Sequence, residues 1–329
     1  MTETIPSVKE DLKTIADLMF ERGVSRRQFL GFCGIMAAAL ALPASATDVI
    51  AQALAASPRL PVIWLEFQDC TGDSESFLRA CKRGDPLNTG STQPSISELV
   101  LDILSVDYHE TLMAPSGEAA EKSRYDTMTA RANQYLLVVE GSIPTAANGM
   151  YCVINGKTAQ SILEETMAGA AATVAFGTCA WDGGLAAAAP NPTGAKGVSE
   201  IVPGAKNLVN IPGCPANVVN LTATIVYYLT YGKLPALDGS RRPTFAYGKT
   251  VHSQCPRRER PEVRAWGDAA HRAGGCLEGM GCKGPSTYSN CPNVKWNEGT
   301  CWPVQAGHGC IGCTNAGFWD RMAPFYQGD

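Results

Sequence analysis

The sequence has no excess of positive charge. Its 27 Lys and Arg stand against 31 Asp and Glu, a net charge of −4. There is no basic stripe, which argues against nucleic acid as a partner. There is also no apolar run of membrane length. The run from Phe29 to about Leu42 falls short of the ~20 residues a spanning helix takes. None follows Cys313 before the last residue, Asp329, so no transmembrane anchor of the chain's own is expected. No internal repeat is visible, which sets aside repeat architectures. A complete disulfide framework fails by arithmetic, because the 13 cysteines are odd in number.

What is present is a large apolar fraction and many cysteines. With 329 residues, 45% of them hydrophobic, the chain is long enough for one large or two medium domains with real cores. The first fifty residues read as an address. Ser25-Arg26-Arg27-Gln28-Phe29-Leu30 is a twin-arginine pattern, followed by the short apolar run and by small-residue sites at Ala44-Ser45-Ala46 and Ala51-Gln52-Ala53. This is the order of an export signal, and residues 1–53 are expected to be removed. Twin-arginine export carries folded proteins. Exported cysteines usually oxidise to disulfides, but thiolates already bound to metal would be protected before export.

After the leader, apolar runs alternate with helical spacing. Leu60 to Phe67, Gln134 to Glu140, Ala172 to Gly177 and Leu208 to Gly213 read as buried strands. Ser95 to Leu104, Lys157 to Ala172 and Ala216 to Tyr231 read as helices. Such alternation implies a parallel sheet with helices on both faces. Near residue 235 the composition changes to Arg, Gly, Pro, Cys and Asn, and periodicity is lost. A long segment without regular structure is suspect as loop, unless metal clusters supply its missing core.

The cysteines fit that possibility. Cys70, Cys179 and Cys214 each follow an expected strand, and ligands of open α/β sheets sit beyond the carboxyl ends of the strands. His252, Cys255, Cys276 and Cys282 form an H-x-x-C followed by a C-x5-C. These four donors, three of them soft, suit a structural zinc ion or an iron–sulfur cluster. Cys291 and the C-x-x-C of Cys310 and Cys313 form a third group, with Pro303 between them and Cys301 as a possible fourth donor.

Several ordered motifs resemble one family. Gly-Thr-Cys-Ala at 177–180, Pro-Gly-Cys-Pro at 212–215, His-x-x-Cys at 252–255 and Gly-Cys-Lys-Gly-Pro at 281–285 are similar to the small subunit of nickel–iron hydrogenases, as are Trp-Pro-Val-Gln-Ala-Gly-His-Gly-Cys at 302–310 and Phe-Trp-Asp at 318–320. The resemblance covers essentially the whole chain after the leader. It implies an α/β fold, with a flavodoxin-like parallel-sheet domain at 54–235 followed by a loop-rich iron–sulfur domain at 236–329. It implies two 4Fe–4S clusters and one 3Fe–4S cluster. The proximal 4Fe–4S cluster would use Cys70, Asp73, Cys179 and Cys214; the distal 4Fe–4S cluster would use His252, Cys255, Cys276 and Cys282. The medial 3Fe–4S cluster would use Cys291, Cys310 and Cys313, with Pro303 where a fourth cysteine would otherwise stand. That occupies nine of the 13 cysteines. Cys33 lies in the leader, and Cys81, Cys152 and Cys301 read as small buried hydrophobes.

The resemblance also implies a function. Hydrogen would be converted at a nickel–iron centre in a separate large subunit, since no paired C-x-x-C motifs for that centre occur here. This chain would relay single electrons to an external acceptor, such as a cytochrome or a membrane subunit, in the periplasm. An electron-carrier subunit of another respiratory oxidoreductase and a zinc-stabilised structural subunit are the alternatives.

One departure stands out. The usual family motif has cysteine where this chain has Asp73. A carboxylate is a harder ligand than thiolate, and some hydrogenases of this family carry Asp at this position. The alternative is a solvated carboxylate, with Cys81 or a water completing the site. The positions at which extra cysteines accompany oxygen tolerance are Gly72 and Gly184 here. His308 is expected to hydrogen-bond a cluster sulfur, His109 and His271 are expected at the surface or in structural roles, and Glu75 at a subunit interface or a helix cap.

Overall fold

The computed structural model describes residues 13–80, 103–296 and 299–325. Three helices come first: α1 (Ile15–Glu21), α2 (Arg26–Ala39) and α3 (Ala46–Ala56). Then β1 (Leu60–Glu66), α4 (Gly72–Leu78), β2 (Leu104–His109), α5 (Glu118–Ala130) and β3 (Leu136–Glu140) follow. The sheet domain is completed by α6 (Ala159–Met167), β4 (Ala172–Phe176), α7 (Thr178–Asp182), β5 (Leu208–Ile211) and α8 (Val218–Tyr231).

The five strands form one parallel sheet in the order β2-β1-β3-β4-β5. This is the flavodoxin-like order, as the resemblance implies. Side chains alternate across the sheet. Val62 and Trp64 of β1 belong to one buried cluster, and Ile63 and Leu65 to the cluster on the other face. Both faces are therefore covered, which is why β1, β3 and β4 read as unbroken apolar runs.

Two elements of the sheet domain escape a reading of apolar pattern. Strand β2 has the sequence Leu-Ser-Val-Asp-Tyr-His and pairs only with β1, at the sheet edge. Helix α5 has no apolar stripe, because its buried face is polar. Arg124 is wholly buried and donates to Glu121 (2.7 Å) and to Thr166 of α6 (2.9 Å). The helix expected over Ser95 to Leu104 falls mostly outside the described residues, and Leu104 itself opens β2. Cys81 is also outside them.

The N-terminal helices pack into the body of the protein. Ile15, Met19, Phe29, Phe32, Met36, Ile50 and Leu54 are buried in the same cluster as Leu221, Ile225 and Val226 of α8. Helix α2 begins with a capping box: Gln28 N donates to Ser25 Oγ, and Ser25 N to Gln28 Oε1. Arg26 and Arg27 are exposed in its first turn. Positive charge there opposes the helix dipole, so helix stability does not explain the pair. Ala44 and Ser45 lie in the exposed turn before α3, whereas Ala51-Gln52-Ala53 lies inside α3. Among the described residues no helix is long and apolar enough to cross a membrane.

Beyond α8 the regular elements shrink to single turns, among them Cys291–Val294 and Phe318–Arg321. The apolar cluster there is small: Val251, Val263, Leu277, Met280, Trp302 and Val304. Cys255, Cys282, Cys291 and Cys310 pack against it.

Candidate functional site

Cys70, Asp73, Cys179 and Cys214 come from the carboxyl ends of β1, β4 and β5 and meet there. Cys70 and Asp73 flank a tight turn in which Thr71 takes a left-handed φ of 59°. Asp69 Oδ1 holds that turn by accepting from Thr71 N at 2.7 Å. Asp73 is 7% exposed, so the solvated-carboxylate reading fails. Its Oδ1 accepts from Ala216 N at 2.5 Å, and no Lys, Arg or His forms an ion pair with it among the described residues. Burial first, and then the charge of Glu140, push the Asp73 carboxyl well above its ordinary range. Burial, together with the charges of Asp73, Cys214 and Cys70, pushes Cys179 up to about 12. Burial and the charges of Asp73 and Cys70 push Cys214 to about 11.

Glycine makes this convergence possible. A Cβ on Gly177, whose φ is +96°, would stand 1.9 Å from Asp73 Oδ2. A Cβ on Gly184 would stand 2.5 Å from Cys179 Sγ, and one on Gly72 would stand 3.1 Å from Cys70 Sγ.

A second group lies between the sheet and the C-terminal segment. Cys291, Cys301, Cys310, Cys313 and Pro303 line a cavity of about 330 Å³, and Cys214 opens onto it from the first group. Burial, followed by the charges of Cys291 and Cys310, holds Cys313 well above the usual thiol range. Burial, then Cys282 and Cys291, pushes Cys310 to about 12.

The third group is His252, Cys255, Cys276 and Cys282. Burial raises Cys282 and Cys276, and the neighbouring thiols raise them further. Donor atoms of His252, Cys276 and Glu278 lie within 4.8 Å of one another, with Glu278 Oε2 3.9 Å from His252 Nδ1. Cys310 N donates to Cys282 Sγ at 3.1 Å, joining the second group to the third. Thr178 Oγ1 donates to the carbonyl of Cys313 at 2.6 Å, tying the second group to the residue before Cys179.

Every cysteine among the described residues is free. Burial disfavours the charged form of Asp73 and of most of these thiols, and a cationic cluster reverses that, because the metal is the largest local charge. The donor sets therefore fit metal clusters. Of the other positions, Glu75 is exposed and pairs with Arg79 at 2.8 Å, and His308 is exposed. Cys152 is half-buried against the second sheet face.

Apolar patterning passed over a polar group behind Asp73. His109 is completely buried, so of the two expected roles the structural one fits and the surface one does not. Its ring lies between Ser74 and Glu66, beside the buried Glu140. A signal was available for two of the three: Glu66 and Glu140 are polar residues ending otherwise apolar strands, whereas His109 ends the mixed strand β2. The register pairs Trp64 with His109 and Glu66 with Glu140.

Comparison with known proteins agrees with this architecture. Residues 247–326 match the family model for the C-terminal region of the NiFe/NiFeSe hydrogenase small subunit. Residues 70–228 match that of the NADH ubiquinone oxidoreductase 20 Kd subunit. The chain is 42% identical to the uptake hydrogenase small subunit of Azotobacter vinelandii, over 96% of this chain and 86% of that protein. It is 43% identical to the periplasmic [NiFe] hydrogenase small subunit 1 of Nitratidesulfovibrio vulgaris, over 93% and 94%. Among solved structures, the reduced, active Ni-Fe-Se hydrogenase of Desulfomicrobium baculatum aligns with a TM-score of 0.74 at 34% identity, covering 82% of this chain and all of that one. With sequence, fold and cysteine placement in agreement, this chain belongs to the family of nickel–iron hydrogenase small subunits, the electron-transfer partners of these enzymes.

Proposed function

We propose that this chain holds a proximal, a medial and a distal iron–sulfur cluster in a row, and passes electrons between a nickel–iron centre in a large subunit and an external acceptor. The proximal 4Fe–4S cluster is assigned to Cys70, Asp73, Cys179 and Cys214, and the medial 3Fe–4S cluster to Cys291, Cys310 and Cys313. The distal 4Fe–4S cluster is assigned to His252, Cys255, Cys276 and Cys282. The continuity of the three donor groups carries this reading: Cys214 opens onto the medial cavity, and the Cys310 amide touches Cys282 Sγ.

The clusters supply one-electron carriers, and the chain sets their environment. Backbone N–H groups on sulfur stabilise the more negative, reduced state and raise the potential. Among the bonds of this kind at the distal group are those from Cys310 N to Cys282 Sγ at 3.1 Å and from Arg257 N to Cys255 Sγ at 3.4 Å. The medial cavity is lined by Val251, Trp296, Trp302 and Pro303 beside its sulfurs. Metal analysis of the co-purified complex tests the assignment. The expected result is about eleven iron atoms per small subunit, with nickel in the partner. A colourless complex carrying zinc overturns it.

Pro303 lines the medial cavity beside the three thiols. The Pro303→Cys variant is expected to convert the three-iron cluster to 4Fe–4S. Its oxidised three-iron paramagnetic signal would disappear and its potential would fall. A wild-type protein with no three-iron signal points instead to Cys301, which lines the same cavity.

The leader is assigned to twin-arginine export of the folded, cluster-loaded chain to the periplasm. The exposed Arg26 and Arg27 support this, because their charge has no stabilising role at the start of α2. The Arg26→Lys, Arg27→Lys double variant is expected to accumulate in the cytoplasm with its clusters in place. Fractionation that finds it in the periplasm at wild-type levels would refute the assignment.

A further inference from the structure

Ser74 follows Asp73 and is completely buried. Its hydroxyl carries one proton and has three neighbours within reach: Glu140 Oε2 at 2.5 Å, His109 Nε2 at 3.2 Å and Glu66 Oε1 at 3.3 Å. The shortest contact takes the proton, so Ser74 donates to Glu140. Its oxygen then faces His109 Nε2 with lone pairs, and the contact is favourable only if Nε2 carries a hydrogen. The hydrogen-bond network thus assigns the ring's protonation at that nitrogen.

The other ring nitrogen, Nδ1, lies 3.2 Å from Glu66 Oε2. That contact is at ion-pair distance but off the line of an ideal hydrogen bond. Thr111 fixes Glu66 in turn, through its backbone N (2.9 Å) and its hydroxyl (2.7 Å). Trp64 closes the arrangement, stacking on the His109 ring at 5.0 Å and donating Nε1 to Glu140 Oε2 at 3.0 Å. At the far end, Glu140 Oε1 accepts from Asp73 N at 3.0 Å and Ser74 N at 3.1 Å. Those are the backbone groups that carry the Asp73 side chain.

We propose that His109 is a positioning residue for the proximal cluster: by donating from Nε2 to Ser74, it orients the Ser74 hydroxyl and the Glu140 carboxylate that hold Asp73 in place. This rests on the assignment of Asp73 to that cluster. The order carboxylate, imidazole, hydroxyl, carboxylate runs from β1 through β2 and α4 to β3. It ties the metal-bearing turn to three neighbouring strands. Partners of this kind around a metal site alter metal affinity or activity by about 10–100-fold when removed. His109 is also the one basic side chain paired with this acidic nest among the described residues, where Glu66, Asp69 and Glu140 oxygens lie within 4.8 Å of one another.

Three variants of the whole heterodimer test it. Glutamine places its amide N–H near the Nε2 position, asparagine near Nδ1, and alanine supplies neither. The His109→Gln variant is expected to keep the proximal cluster's iron, potential and electron paramagnetic resonance signal. The His109→Asn and His109→Ala variants are expected to shift that potential and to lose about ten-fold or more in hydrogen-dependent dye reduction. A packing role alone would make glutamine and asparagine behave alike, and that equivalence, in potential and in iron content, overturns the proposal. A wild-type complex without a proximal cluster removes the underlying assignment, and the inference falls with it.

Discussion

Replacing Asp73 by alanine is expected to strip the proximal cluster. Iron content should fall from about eleven towards about seven atoms per chain, and the proximal resonance signal should be lost. Asp73 is buried, accepts one backbone hydrogen bond and lacks a cationic side chain among the described residues. An unpaired buried carboxylate costs several kcal/mol, so the native state must give it a proton or a metal. The Asp73→Asn variant separates the two. Asparagine has the shape of the neutral acid, so a carboxyl that is merely protonated makes the change silent. A ligand carboxylate makes it nearly as damaging as alanine. The Asp73→Cys variant should retain four irons, with a changed potential and response to oxygen. Iron content and spectrum unchanged in both the Ala and Asn variants would sink the assignment.

The second large effect is expected at Gly177. An alanine Cβ there would stand 1.9 Å from Asp73 Oδ2, 2.6 Å from Cγ and 2.9 Å from Oδ1. The backbone at φ +96° also disfavours any side chain, a strain of about 1–3 kcal/mol. The Gly177→Ala variant should therefore push the carboxylate away from Cys179, losing the proximal cluster and most electron transfer. The two sites touch, so their effects should not add. In an Asp73→Ala background the cluster is already lost and the clashing atoms are gone, so Gly177→Ala should cost only the backbone strain, about 1–3 kcal/mol of folding stability. An equal loss of stability from Gly177→Ala in the wild-type and Asp73→Ala backgrounds would show that Gly177 acts through backbone strain alone.

The sequence carried the outline of this site because strand ends and cysteine spacing are local signals. Cys70, Cys179 and Cys214 each follow an apolar run that is buried on both sheet faces. Their convergence follows from the parallel topology before any distance is known. What stayed hidden depends on lateral register. His109 ends an edge strand with little apolar pattern, and only its pairing beside Trp64 brings it to Ser74 and Glu140. Helix α5 was unreadable for a related reason, since its inner face is held by Arg124 and Glu121 rather than by an apolar stripe. Gly177 looks like any turn glycine until Asp73 is seen above it.

Under the proposed twin-arginine export, the packing of the first three helices sets up a competition between two binding equilibria. Seven large side chains, from Ile15 to Leu54, are withdrawn from water among the three helices and against α8. At about 1.5–3 kcal/mol for each, the gross gain is on the order of 10 kcal/mol, before the entropy of ordering the segment is subtracted. A receptor that reads only the exposed arginines meets the whole population. One that must draw the apolar helix away from α8 meets only the undocked fraction, and its apparent affinity is reduced by that fraction. Under that proposal, the tightness of this intramolecular docking sets the fraction of finished subunits open to such a receptor.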